Sequence, residues 1–139
     1  MVRRGQQGRR KQRQAQRAAN AQLDSSQGTY RADRQDCRRR TWETPYDDAN
    51  SVRLQFIVWN RGKILVDFVV NVQVLASQGW NTVEYYDCCH GHCHLHTQNP
   101  DLDPRPIAQL DAVDDVQDAF AKVEREATDR ARIIRDEVI

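Results

Sequence analysis

Ile64-Leu65-Val66-Asp67-Phe68-Val69-Val70-Asn71-Val72-Gln73-Val74-Leu75-Ala76 decides the fold. Ile64, Val66, Phe68, Val70, Val72 and Val74 share one parity, and Asp67, Asn71 and Gln73 fall on the other. A period of two puts apolar side chains on one face of a pleated strand and polar ones on the other. The stretch is therefore a half-buried strand. It is not a membrane span: three polar residues interrupt it, and it is far shorter than the roughly 20 apolar residues a helical span needs.

The pattern continues on both sides. Upstream, Val52, Leu54, Phe56 and Val58 alternate with Arg53 and Gln55, and Asn60-Arg61-Gly62-Lys63 reads as a tight turn between two strands. Downstream, Ser77-Gln78-Gly79-Trp80-Asn81 turns the chain again into a third strand from Thr82 to about Thr97. Asn99 to Pro106 is a loop punctuated by prolines. After it Leu110, Val113, Val116, Phe120, Val123, Ala127 and Ile134 recur at three- and four-residue steps, which predicts an amphipathic helix from Ile107 to Asp136. The fold class expected is α+β: a small antiparallel meander of three or more strands packed by one long C-terminal helix.

The formal charge of +1 hides two unlike halves. Met1 to Thr41 carries twelve Arg and Lys against three Asp, whereas nine basic residues oppose seventeen acidic ones from Trp42 onward. Residues 1–28 offer almost nothing to bury, so they are expected to form a disordered arginine-rich arm. Residues 29–50 read as an irregular connector, in which Tyr30, Cys37, Trp42 and Tyr46 can pack and Pro45 limits any helix. Residues 51–139 form the globular domain. Met1 to Gly8 has charge but no following apolar run, so no secretory signal is read there and a cytoplasmic location is expected, with no membrane partner.

Arg3, Arg4, Arg9, Arg10, Lys11, Arg13 and Arg17 concentrate positive charge with no acid among them. Such density suits a phosphate backbone, through counterion release and bidentate arginine contacts, so nucleic acid, RNA favoured, is the expected partner of the arm. The alternatives are a solubility tail or an arm that docks on the acidic surface of a neighbouring subunit in a homo-oligomer. Arg9 to Asn20 resembles the arginine-rich RNA-binding motifs of phage antitermination proteins, which implies a helix formed in an RNA groove.

The chemistry concentrates in Cys88-Cys89-His90-Gly91-His92-Cys93-His94-Leu95-His96. In an unbroken strand His90, His92, His94 and His96 project from one face at intervals of about 6.6–7 Å. Cys88 and Tyr86 then join the histidine side, while Val83, Tyr85, Cys89, Cys93 and Leu95 turn to the core. Gly91 is a candidate bulge, which would flip the later parity. Three chemistries follow. His90, His92, His94 and His96 with Cys88 form a candidate zinc site, Asp87 being a further ligand option. Alternatively the four histidines are candidate acid and base catalysts for attack of a ribose 2′-hydroxyl on its own phosphodiester, which needs no metal, with a phosphate contact from Tyr85 or Tyr86. Or they only contact phosphate and bases. The bland alternative is an exposed polar strand face whose cysteines are ordinary buried residues.

Tyr86-Asp87, the four histidines and the helix after them resemble the TumE-like family of small bacterial toxins. The resemblance covers residues 51–136 and implies a compact antiparallel sheet, an activity on RNA, and a cognate DNA-binding antitoxin as partner. Cys88-Cys89, Cys93 and the basic arm depart from that pattern. The arginine- and aspartate-rich, lysine-poor composition also resembles small proteins of actinobacteria and their phages. The function expected is that of a small RNA-directed protein, an endoribonuclease-type toxin using its strand histidines. The alternative is a non-enzymatic metal-binding accessory protein of host or phage, tethered by its arm to nucleic acid or a larger assembly.

Overall fold

The computed structural model of the chain describes residues 28–138. The strands are β1 (Arg38–Pro45), β2 (Val52–Arg61), β3 (Ile64–Ala76), β4 (Gly79–Cys89), β5 (His92–His96) and β6 (Arg105–Gln109), and the helix α1 is Asp114–Val138. The strands form one sheet in chain order, every neighbouring pair antiparallel. This is the α+β meander with a C-terminal helix that the alternation dictates.

The β2–β3 hairpin supplies the centre of the core. Val52, Leu54, Phe56 and Val58 stand opposite Val74, Val72, Val70 and Phe68 on one face. Across them α1 buries Val116, Ala119, Val123, Ala127, Ala131 and Ile134. The alanines let the helix approach closely, and Phe120 sets its ring edge against Phe56 and Phe68, with centroids 5.9 and 5.2 Å apart. Each large side chain so buried is worth about 1.5–3 kcal/mol over leaving it wet, so this stripe dominates stability. Polar ties close the margin: Arg130 grips both oxygens of Glu84, and Tyr86 and Arg105 both donate to Glu126. Among the described residues, no helix is long and apolar enough to cross a membrane.

Three elements differ from the expectation. The connector 29–50 contains β1, an edge strand whose only half-buried residue is Trp42, stacked on Phe56 at 5.2 Å. Alternation is absent because a single side chain packs, and Arg38, Arg39 and Arg40 keep the open edge charged. The helix begins at Asp114 rather than Ile107, because Arg105–Gln109 pairs with β5 as a sixth strand. Pro106 is tolerated there since an edge strand does not need every N–H. The Asp115 carboxylate accepts from Asp111 N and Ala112 N, fixing the helix start at 2.8 and 3.0 Å.

The third difference positions the site. The expected strand from Thr82 to Thr97 is two strands joined by a two-residue turn at His90-Gly91. Both turn residues have positive φ, +53° and +78°, the geometry that matches the twist of the flanking strands. The tip is held from outside by residues 28–34. Gly28 N and Thr29 N donate to Asp111 Oδ1 at 2.9 and 3.1 Å, Tyr30 N to Leu110 O at 3.0 Å, and Leu110 N to Gly91 O at 2.7 Å. Gly28 and Gly91 pack backbone to backbone, with no room for a Cβ at either.

Candidate functional site

The turn inverts the faces expected for β4. Cys89 pairs with His92, Cys88 with Cys93, Asp87 with His94, Tyr86 with Leu95 and Tyr85 with His96. Cys93 and Leu95 are buried in the core, as the alternation requires, so their partners Cys88 and Tyr86 share the helix side. Tyr85, Asp87 and Cys89 lie with His92, His94 and His96 on the opposite, outer face. Tyr85, not Tyr86, is the aromatic of the histidine face. Tyr86 is fully buried, and burial together with donation to Glu126 at 2.9 Å pushes its phenol well up.

Three of the four histidines come together. Ring centroids of His92 and His94 lie 5.6 Å apart and those of His94 and His96 6.3 Å apart. His92 is buried, whereas His94 and His96 are half-buried. His90 stands apart, exposed in the turn. His96 Nε2 bonds Asp87 Oδ1 at 2.7 Å, and Tyr85 stacks on the His96 ring at 4.4 Å and 7°. A carboxylate on one ring nitrogen holds the proton there and turns the other nitrogen, Nδ1, into the acceptor. This group can orient an imidazole and move a proton beside a second imidazole.

Cys88 lies across the sheet from His92, His94 and His96, so it cannot join them around one ion. Its thiol is pushed far up by its hydrogen bond with Cys93 and by burial, which keeps it protonated. All four cysteines lie among the described residues, and no disulfide joins any of them. Among the described residues, no group of three or more His, Cys, Asp or Glu side chains converges with metal-binding geometry. Arg3, Arg4, Arg9, Arg10, Lys11, Arg13 and Arg17 lie outside the described residues.

Two features escape the sequence pattern. One is the Asp87–His96–Tyr85 group: recognising His90-Gly91 as a turn would have placed Asp87 opposite His94 and within diagonal reach of His96. The other is Asp67, on the outer face at 3% exposure, which accepts from Arg34 Nε at 2.8 Å and from Phe68 N. Burial raises its carboxyl above the usual range, against the opposing pull of Arg34. Arg34 in turn lies over the Trp59 ring at 3.7 Å.

Comparison of the chain with protein-family models, curated proteins and solved structures finds no match. None of these comparisons bears on the resemblance to TumE-like toxins, which rests on Tyr86-Asp87, the histidines and the helix after them. In the fold those first two residues part company, Tyr86 to the helix and Asp87 to His96.

Proposed function

We propose that the outer face of β4 and β5 binds RNA and cleaves it, with His94 and the Asp87-supported His96 as the acid–base pair. The observation that carries this is the 2.7 Å bond between His96 Nε2 and Asp87 Oδ1, beside a second half-buried imidazole. His96 Nδ1 takes the proton of a ribose 2′-hydroxyl, whose oxygen attacks the adjacent phosphorus. His94, as the imidazolium, gives its proton to the departing 5′-oxygen. The products are a 2′,3′-cyclic phosphate and a 5′-hydroxyl, so atoms and charge balance without a metal. The basic arm supports the reading, because it supplies sequence-independent attraction to phosphate. The TumE-like resemblance extends it to a toxin with an antitoxin partner.

The test is cleavage of a single-stranded RNA by the full chain and by the His94→Ala/His96→Ala variant, with 2′-deoxy substrate and chelator controls. The wild type is expected to cleave RNA but not the 2′-deoxy strand, with or without chelator. The double variant should lose about 10²-fold or more while its circular dichroism is unchanged. Retained cleavage in that variant ends the enzyme reading. Near-stoichiometric zinc in purified protein, lost when the histidines are replaced, would favour the metal-binding accessory protein instead.

A further inference from the structure

One cross-strand row on the outer face runs Glu43, Gln55, Asn71, Tyr85, His96, each residue directly opposite the next. It ends at the proposed acid–base pair, and its other members have no part in proton transfer. Tyr85 is 38% exposed although one face of its ring lies on His96, so its exposed surface belongs to the opposite face and edge. On β3 its neighbour is the Asn71 amide, half-buried and fixed: Asn71 Nδ2 donates to Gln55 Oε1 at 2.9 Å. Asn71 Oδ1 remains as the acceptor of that amide, on the residue directly opposite Tyr85. The next row adds a cation, since Arg53 donates to Gln73 Oε1 at 2.8 Å and lies 4.2 Å over the Trp80 ring.

An aromatic face beside a fixed amide acceptor is the chemistry that holds an unpaired nucleobase. The ring stacks on the base whatever its sequence, and the amide reads a donor on the base edge. A duplex does not offer that face, because its bases are stacked on one another. We infer that Tyr85 and Asn71 form a nucleobase subsite for single-stranded RNA, seating the base next to the phosphate that His94 and His96 act on. The subsite rests on the RNA reading of that site. Arg53 faces the backbone beyond it, and Asn71 Oδ1 selects bases that present an amino or imino N–H.

The experiment measures binding separately from cleavage. The full chain is titrated, by fluorescence anisotropy, against short single-stranded RNAs blocked by 2′-O-methylation, including a series carrying one abasic position. Tyr85→Ala should weaken binding at least fivefold, and Tyr85→Phe, which keeps the ring, should stay within twofold. One abasic position should weaken wild-type binding by a similar factor and cost Tyr85→Ala nothing further. Asn71→Ala should flatten the preference among the four bases at that position. Unchanged affinity in Tyr85→Ala, or equal and additive losses at every abasic position, overturns the subsite while leaving cleavage by the histidines standing. RNA neither bound nor cleaved by the wild type removes both.

Discussion

Asp87 Oδ1 bonds His96 Nε2 at 2.7 Å, although the residue directly opposite Asp87 on β5 is His94. The contact is diagonal, of the kind that strand twist brings within reach of long side chains. At 23% and 31% side-chain exposure, such a pair contributes only about 0–1 kcal/mol to stability. What it does fix is the orientation and tautomer of one imidazole.

Replacing Asp87 by Asn therefore separates the two roles. The urea midpoint should barely move, because a half-buried pair that water still reaches stabilises the fold little. RNA cleavage should fall by about 10²-fold, since an amide N–H in place of the carboxylate can donate to Nε2 and leave the proton on Nδ1, the wrong tautomer for a base. Cleavage at the wild-type rate, with the fold intact, would show that Asp87 orients nothing that matters.

A second prediction concerns the turn. Gly91 has φ +78° and packs on the Gly28 backbone, whereas Gly62 has φ +62° and open space where a methyl group would project. Gly62→Ala should cost about 1 kcal/mol, the strain of a left-handed alanine alone. Gly91→Ala adds a collision with backbone that cannot yield cheaply, so its cost should reach roughly 3 kcal/mol or more. Equal losses in urea unfolding would mean that residues 28–34 are not held against the turn.

That turn is also where the sequence is hardest to read. β2 is legible because its burial alternates, and β3 because Val66, Phe68, Val70 and Val72 keep one parity buried under α1 even though Leu65, Asp67 and Gln73 are buried on the other. The helix is legible from its three- and four-residue steps, apart from its start, which lies at Asp114 rather than Ile107. His90-Gly91 is obscure because the alternation of Cys and His runs through it, and because a positive φ is uncommon at any residue other than glycine, even one of the types that tolerate it best. A two-residue turn keeps His92, His94 and His96 on one face but moves Tyr85 and Asp87 onto it and takes Cys88 off. β1 leaves no periodic trace because it buries only Trp42 in part. The histidine row is readable; its partners depend on a turn that the pattern hides.

The cysteines give a third prediction. The thiolate is the nucleophile, so accessibility and thiol pKa together set the rate of alkylation. Cys89 is exposed, Cys37 is half-buried, Cys93 is buried, and the Cys88 thiol is held protonated by Cys93 and by burial. Iodoacetamide at neutral pH, followed by peptide mass spectrometry, should label Cys89 first, Cys37 next, and Cys88 and Cys93 last. In denaturant all four should react alike. Labelling of Cys88 as fast as Cys89 in the native protein would place it on the wrong face of the sheet.

The last prediction uses two carboxylates displaced in opposite directions. Asp111 accepts from Thr29 N, Gln109 and Gly28 N, which lowers its carboxyl below the ordinary 3.8. Its contribution is present above 3.8 and disappears as pH falls through the lowered folded value. Asp67 is the reverse: burial raises it above 3.8 despite Arg34, so its contribution is greatest below 3.8 and declines as pH rises through the raised value. Urea midpoints for the wild type, Asp111→Asn and Asp67→Asn at about pH 3, 5 and 7 should therefore diverge in sign. The advantage of the wild type over Asp111→Asn should grow with pH across the acid end of that range. Its standing relative to Asp67→Asn should worsen as pH rises from 3.8 toward neutrality, because the wild type must then keep a charge at a site only 3% exposed. Parallel slopes for the two variants would mean that Asp67 is solvated, and the packing of Arg34 over Trp59 and Asp67 would have to be redrawn.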